Sequence, residues 1–137
     1  MSNLERFKAL KSPEEIIFTI SHDEMIGYGV LSGDFNKIHT DHLYAVANGF
    51  EGLVVYGGLI ISKVSQLIGM HMPSTKLIWA ALNIKFHSPL YLGEAATLSY
   101  CIDNISVSTG AVECKFKISV ATKLVASGMF DVILFRT

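Results

Sequence analysis

The clearest rhythm in the chain runs from Ala111 to Val120. There Val112, Cys114, Phe116, Ile118 and Val120 alternate with Glu113, Lys115, Lys117 and Ser119. A period of two sends successive side chains to opposite faces, so this segment predicts a strand with one apolar and one wet face. Leu77 to Phe86 carries Leu82, Ile84 and Phe86 in the same alternation, and Ala95 to Asp103 carries Leu98, Tyr100 and Ile102. Leu124 to Phe135 predicts a last, longer strand, and Glu15 to Ile20 a short early one. Strands apolar on one side only belong to an antiparallel sheet covered on that side.

The covering element is a helix over Gly57 to about Ile68. Leu59, Ile60, Ile61, Val64, Leu67 and Ile68 take most of its circumference, and Ser62, Ser65, Gln66 and Gly69 form a narrower small or polar face. A helix apolar over so much of its surface predicts burial. Two shorter helices precede it. Ser21-His-Asp-Glu24 has the Ser-x-x-Glu form of a capping box, and Gly33 ends the helix it starts. Asp41 caps a second, His42 to Asn48, with Gly49 past its end. One buried helix on an antiparallel sheet is an α+β arrangement.

The pattern also sets a hairpin register. With a turn near Ser108, Tyr100 faces Phe116, Leu98 faces Ile118 and Ile102 faces Cys114, all on the apolar face; a slip of one residue would bury charges. Cys101 then points away from Cys114, which predicts two free thiols.

Composition narrows the class. The 137 residues fit one domain, 1–137; half are apolar and 17% charged. That supplies a core and predicts a self-associating surface. The net charge of −1 gives no basic excess to drive nucleic-acid binding. No stretch approaches the ~18 apolar residues of a membrane span. The polar start Met-Ser-Asn-Leu-Glu-Arg-Phe-Lys is unlike a signal peptide, and two cysteines without an export signal predict a reduced, cytoplasmic protein.

Candidate chemistry sits in Leu31-Ser-Gly-Asp-Phe-Asn-Lys-Ile-His-Thr-Asp41. An acid, Asp34, and an imidazole, His39, lie in a segment that is neither a regular helix nor a strand, bent by Gly33 and Asn36. By spacing alone the pair reads as a turn cap and a surface histidine. Fifteen residues after His39, Val54-Val-Tyr-Gly-Gly leads into the long helix. A carboxylate, an imidazole and a helix beginning at glycine are the parts needed to hold a water, move its proton and meet a developing oxyanion. Asp34, His39, Asp41 and His42 also read as a metal cluster. The cap role explains Asp41 and His42 needs none, so no metal is assigned.

Ser32-Gly-Asp-Phe-Asn-Lys-Ile-His-Thr-Asp41 resembles the signature of the MaoC-like hydratases, or (R)-specific enoyl-CoA hydratases, roughly Ser-Gly/Glu-Asp-x-Asn-Pro-x-His-x-Asp. Tyr44-Ala45, Phe50, Val54-Val55-x-Gly57 and Phe86-x-x-Pro89-x-x-x-Gly93 follow at the expected distances, so the likeness covers about residues 15 to 135. It implies a hot-dog fold, a curved antiparallel sheet wrapped around a long central helix, as a homodimer or higher homo-oligomer. It implies reversible addition of water to a trans-2-enoyl-CoA, giving an (R)-3-hydroxyacyl-CoA, with no cofactor beyond the coenzyme A or acyl-carrier pantetheine of the substrate. Asp34 and His39 would be the catalytic pair. Gly57 would hold the thioester oxygen, with Ser65, Asn36 and Tyr56 beside the substrate.

Two departures stand out. Lys37 replaces the usual proline, which predicts a differently bent loop. Tyr56 replaces the usual histidine, which predicts a changed pocket shape. Two other classes stay open: a hot-dog acyl-CoA thioesterase, and a non-catalytic acyl-thioester-binding module. Ser65 reads equally as a packing serine bonded back to its helix. His22, His71 and His87 read as structural or surface groups. Lys63 and Lys76 read as solvated lysines or as partners of coenzyme A phosphates.

Overall fold

The computed structural model describes residues 1–11 and 14–136. Five helices and five strands follow in the order α1 (Asn3–Lys8), β1 (Glu14–Phe18), α2 (His22–Ser32), α3 (Lys37–Thr40), α4 (His42–Ala47), α5 (Gly57–Met70), β2 (Leu77–Phe86), β3 (Ala96–Ile105), β4 (Ala111–Val120) and β5 (Lys123–Leu134) among the described residues. The strands form one antiparallel sheet in the order β1-β3-β4-β5-β2.

The β3–β4 register is the one the apolar alternation demands: Tyr100 pairs with Phe116, Leu98 with Ile118 and Ile102 with Cys114. Cys114 is buried, Cys101 exposed, and both thiols are free. Register shifts at Trp79/Ala81, Ile102/Asn104 and Ile118/Ser119 each add local bend and twist. The sheet therefore curls around α5, whose Leu59, Ile60, Val64, Leu67 and Ile68 share one buried cluster with Leu98, Phe116, Ile118, Phe130 and Val132. Phe130 is tilted against both Tyr100 and Phe116, at centroid distances of 6.0 and 5.9 Å. This is the hot-dog architecture, a curved sheet around one long helix.

Helix α5 is buried on one side only. Ser62, Ser65, Gln66 and Gly69 lie exposed along the other, so the small-residue face read from sequence is open. The helix starts follow their sequence signals. Ser21 accepts from the Glu24 N–H while Glu24 accepts from the Ser21 N–H, a complete capping box. Gly33 closes α2 at φ 76°, a left-handed conformation that glycine adopts without penalty. Asp41 accepts from the Tyr44 N–H and starts α4. Helix α1 was not expected from the sequence. Ser2 and Glu5 form a second capping box there, buried Phe7 anchors it, and Asn3 donates to the carbonyls of Lys76 and Phe135.

No helix is long and apolar enough to cross a membrane among the described residues.

Candidate active site

The segment from Ser32 to Asp41 braces itself. Ser32 Oγ accepts from the Asp34 N–H at 3.1 Å, Asp34 Oδ1 from the Asn36 N–H at 3.0 Å, and Asn36 Oδ1 from the Ile38 N–H at 3.1 Å. Each short polar side chain bonds the backbone two residues on, the habit that makes Ser, Asp and Asn turn formers. The last bond caps α3, a single turn that carries His39. Lys37 is the first residue of that turn, a helix position that proline also suits because its N–H has no intrahelical partner. The lysine Nζ lies 5.8 Å from the centre of the Tyr44 ring.

Helix α3 is fastened to the strand-like approach to α5. The Val54 N–H donates to the Ile38 carbonyl at 3.1 Å, and His39 Nδ1 lies 2.6 Å from the Val54 carbonyl. A carbonyl only accepts, so Nδ1 carries the proton in that contact, and Nε2 of the neutral ring is left with its lone pair. Val54 is itself held through a bridge to Tyr91, and the Val55 N–H donates to the Leu90 carbonyl at 2.8 Å. The imidazole is thus oriented at Nδ1 by a main-chain carbonyl whose own segment is held by Ile38, Tyr91 and Leu90.

Helix α5 begins differently from α1, α2, α3 and α4, each of which has a side-chain cap. Tyr56 stands at its N-cap position and its side chain caps nothing. The first intrahelical bond runs from the Ile60 N–H to the Tyr56 carbonyl. The Gly57, Gly58 and Leu59 N–H groups are therefore unpaired among the described residues. Gly57 faces a cleft of about 350 Å³ that also holds His39, Val54, Phe86, His87 and Pro89. A side chain at position 58 would displace Tyr28, because a Cβ there would lie 1.6 Å from the Tyr28 hydroxyl. At position 57 a Cβ would meet the Phe86 ring at 3.2 Å. The two glycines let the Phe86 ring and the Tyr28 hydroxyl pack close against the start of the helix.

Tyr56 is 2% exposed. Its ring stacks on His39 at a centroid distance of 4.1 Å and an interplanar angle of 26°. Its hydroxyl donates to the Asp34 carbonyl at 2.6 Å. Burial first, and then the negative charge of Asp34 and the neighbouring Tyr28, push the Tyr56 phenol above its usual range. It therefore stays protonated, as a donor. On its far side Tyr56 and His39 line a second cleft of about 270 Å³ with Ile26, Val30, Phe35 and Thr40.

The structure thus brings His39 and Gly57 into one cleft and ties Asp34 to them through its main chain and Tyr56. The Asp34 side chain is exposed and lines neither cleft; Asn36 acts on the loop as a helix cap. Ser65 lies on the open face of α5, away from both clefts. Lys63 bonds Glu24 at 2.9 Å, which joins α5 to α2. His87 lines the same cleft as His39 and lies 2.7 Å from Ser127 Oγ. The sequence signal for it was its place inside Phe86-x-x-Pro89. His42 is exposed, and no group of three or more His, Cys, Asp or Glu is placed to hold a metal among the described residues.

A curved sheet around one helix, with an imidazole and an uncapped helix start in one cleft, defines a hot-dog protein. The model of the MaoC like domain matches residues 9–123, and the chain belongs to that family. The chain is 32% identical over 74 residues to an (R)-specific enoyl-CoA hydratase of Aeromonas caviae, covering 54% of this chain and 55% of that one. It is 31% identical over 74 residues to a mitochondrial 3-hydroxyacyl-[acyl-carrier-protein] dehydratase of Arabidopsis thaliana, covering 54% of this chain and 43% of that one. The matched stretch spans about half the length of these curated relatives. In fold, the solved (R)-hydratase from A. caviae involved in PHA biosynthesis superposes with a TM-score of 0.86 at 23% identity, covering 93% of this chain and 99% of that one.

Proposed function

We propose that this protein adds water reversibly to a trans-2-enoyl thioester to give an (R)-3-hydroxyacyl thioester. The observation that carries the reading is the shared cleft: His39, its Nδ1 committed to the Val54 carbonyl, faces the same space as the unpaired N–H of Gly57. The naming of two relatives as a hydratase and a dehydratase of acyl thioesters supports it.

The chemistry follows from the groups. The thioester oxygen accepts from the Gly57 N–H at the positive end of the α5 dipole, which polarises the enoyl system. Water then attacks the β-carbon while His39 Nε2 takes its proton, and the electron pair moves through the α-carbon onto the oxygen. The imidazolium returns a proton to the α-carbon as the carbonyl reforms; for Asp34 to share in the transfer, its exposed carboxylate, which lines neither cleft here, has to turn toward the water. One oxyanion donor contributes about 3–4 kcal/mol, and a positioned acid–base group roughly 100- to 10,000-fold in rate. The thioester is that of coenzyme A or an acyl carrier protein, since the pantetheine arm is common to both, and it supplies the only cofactor moiety. Asn36 serves by fixing the loop; Ser65 enters the site only if a bound acyl chain or a second copy reaches the open face of α5.

The working unit is a homodimer or a larger homo-oligomer. Strand β2 is a sheet edge of ten residues, with Ile78 59% exposed and Phe86 46% exposed. A long apolar edge is a template for pairing, and a second copy covers it symmetrically. Two free thiols, one exposed, suit the reducing cytoplasm.

The test is to mix purified protein with a short trans-2-enoyl-CoA, follow loss of the enoyl absorbance and assign the product's stereochemistry. An (R)-3-hydroxyacyl-CoA is expected. Release of free CoA thiol without that product would make the protein a thioesterase. Binding without loss of the double bond would make it an acyl-thioester-binding module.

A further inference from the structure

We infer that Tyr56 is a positioning residue that holds Asp34 and His39 in register with the start of α5, and that Gly29 exists to let its hydroxyl through. The inference rests on the hydratase reading for its kinetic consequences, and on geometry alone for its structural ones.

One buried side chain touches the two candidate acid–base residues and immediately precedes the candidate oxyanion donor. The Tyr56 hydroxyl donates to the Asp34 carbonyl at 2.6 Å, and the ring lies against His39 at 4.1 Å between centroids. The next peptide unit carries the Gly57 N–H. The Asp34 carboxylate is itself fixed to its own loop by the Asn36 N–H at 3.0 Å. Where that carboxylate stands relative to α5 is therefore decided by where the Asp34 main chain stands, and the phenol sets that. The hydroxyl donates to protein here, so it acts through Asp34 rather than on the substrate.

Gly29 sits in the middle of α2, where glycine is unfavourable to the helix. A Cβ at position 29 would lie 3.0 Å from the Tyr56 hydroxyl, 3.4 Å from Phe35 and 3.6 Å from the Asp34 carbonyl. The glycine thus leaves the space in which the hydroxyl and the carbonyl meet.

The first test is Tyr56→Phe, which keeps the ring and removes only the hydroxyl that bonds the Asp34 carbonyl. The kcat on an enoyl-CoA is expected to fall on the order of tenfold with KM within about twofold, the mark of a misplaced catalytic group. Added to Asp34→Asn, the same change is expected to cost less than about twofold, because a residue acting through Asp34 has nothing left to position. Gly29→Ala is expected to lower kcat in the otherwise native chain and to be silent in the Tyr56→Phe background. A raised KM at unchanged kcat, or full additivity with Asp34→Asn, would overturn the assignment.

A readout without substrate separates this from the hydratase reading. Solvent-exchange rates of the Asn36 and Ile38 amides, measured by NMR, are expected to rise about tenfold in Tyr56→Phe while β4 amides stay unchanged. If the native protein consumes no enoyl thioester yet those rates rise, the hydratase reading fails and the tie stands. If it is active and neither rates nor kcat move, the tie fails and the reading stands.

Discussion

The helix that starts at His22 and the helix that starts at Gly57 both follow a residue outside the helical conformation, yet they are finished in opposite ways. At α2 the chain closes its own end: Ser21 and Glu24 exchange two hydrogen bonds of 3.1 Å each. At α5 no side chain caps the first turn, and its two leading glycines lie against the Phe86 ring and the Tyr28 hydroxyl. A self-capped end is a structural stop. An uncapped end, opening on a cleft that holds an oriented imidazole, leaves its donors for something outside the chain.

The largest way to break this contrast is to remove the imidazole that faces the open end. His39→Asn is expected to lower kcat about 100- to 10,000-fold on an enoyl-CoA, with the circular-dichroism spectrum and melting temperature close to native. Next comes the helix start itself. Gly57→Pro keeps a backbone suited to the first helical position and removes one N–H, and is expected to lower kcat about 100- to 1,000-fold. Gly57→Ala, which keeps the N–H and presses on Phe86, separates the donor from the crowding and is expected to cost only a few-fold.

At the self-capped end the expectation reverses. Ser21→Ala is expected to cost about 1 kcal/mol in a denaturant titration and to leave the rate within about twofold. The smallest effect concerns the ion pair that ties the two helices together. The Lys63 hydrogen bond, more than the Ser21 backbone, holds the Glu24 carboxyl below its usual pKa. A depressed folded-state pKa gives stability that is present above the unfolded value and lost as pH falls through the folded one. Glu24 is partly exposed, so the gain is small. Lys63→Met is expected to lower the melting temperature slightly at neutral pH and to converge on the native value in acid, which flattens the acid limb of the profile.

What could be read from sequence follows the same division between local and distant causes. The β3–β4 register was legible because every apolar partner in it falls on one face. The Ser21 capping box and the Asp41 cap were legible because cap and partner are three residues apart. Helix α1 carries the same Ser-x-x-Glu signal at Ser2 and Glu5, yet its polar start shows no helical period, because what secures it is distant: Asn3 reaches Lys76 and Phe135. Helix α3 spans four residues, too few to show a period, so the segment read as irregular.

The site divides likewise. The motif named Asp34, His39 and Gly57, and the fold sets His39 and Gly57 in one cleft. The bond from Tyr56 to the Asp34 carbonyl bridges 22 positions and has no local pattern to announce it. His87 enters the cleft because β2 ends there, paired with β5. Ser65 faces the open side of α5, where helical spacing alone gives no reason to prefer cleft over solvent.

Burial also distinguishes the two cysteines. It pushes the Cys114 thiol up to about 12, with the nearby Cys101 adding to the shift. Cys114 is therefore expected to resist a thiol reagent in the folded protein while exposed Cys101 reacts, as mass spectrometry of the labelled chain would read.

The proposed reaction depends on the open end of α5 polarising a thioester carbonyl. Its most direct measurement is the infrared stretch of a 13C-labelled enoyl-CoA carbonyl bound to the His39→Asn protein, which is expected to hold the substrate without turning it over. The band is expected to move to lower frequency than in water and to move back when Gly57→Pro is added. A bound carbonyl that keeps its aqueous frequency, with or without that proline, would contradict the account.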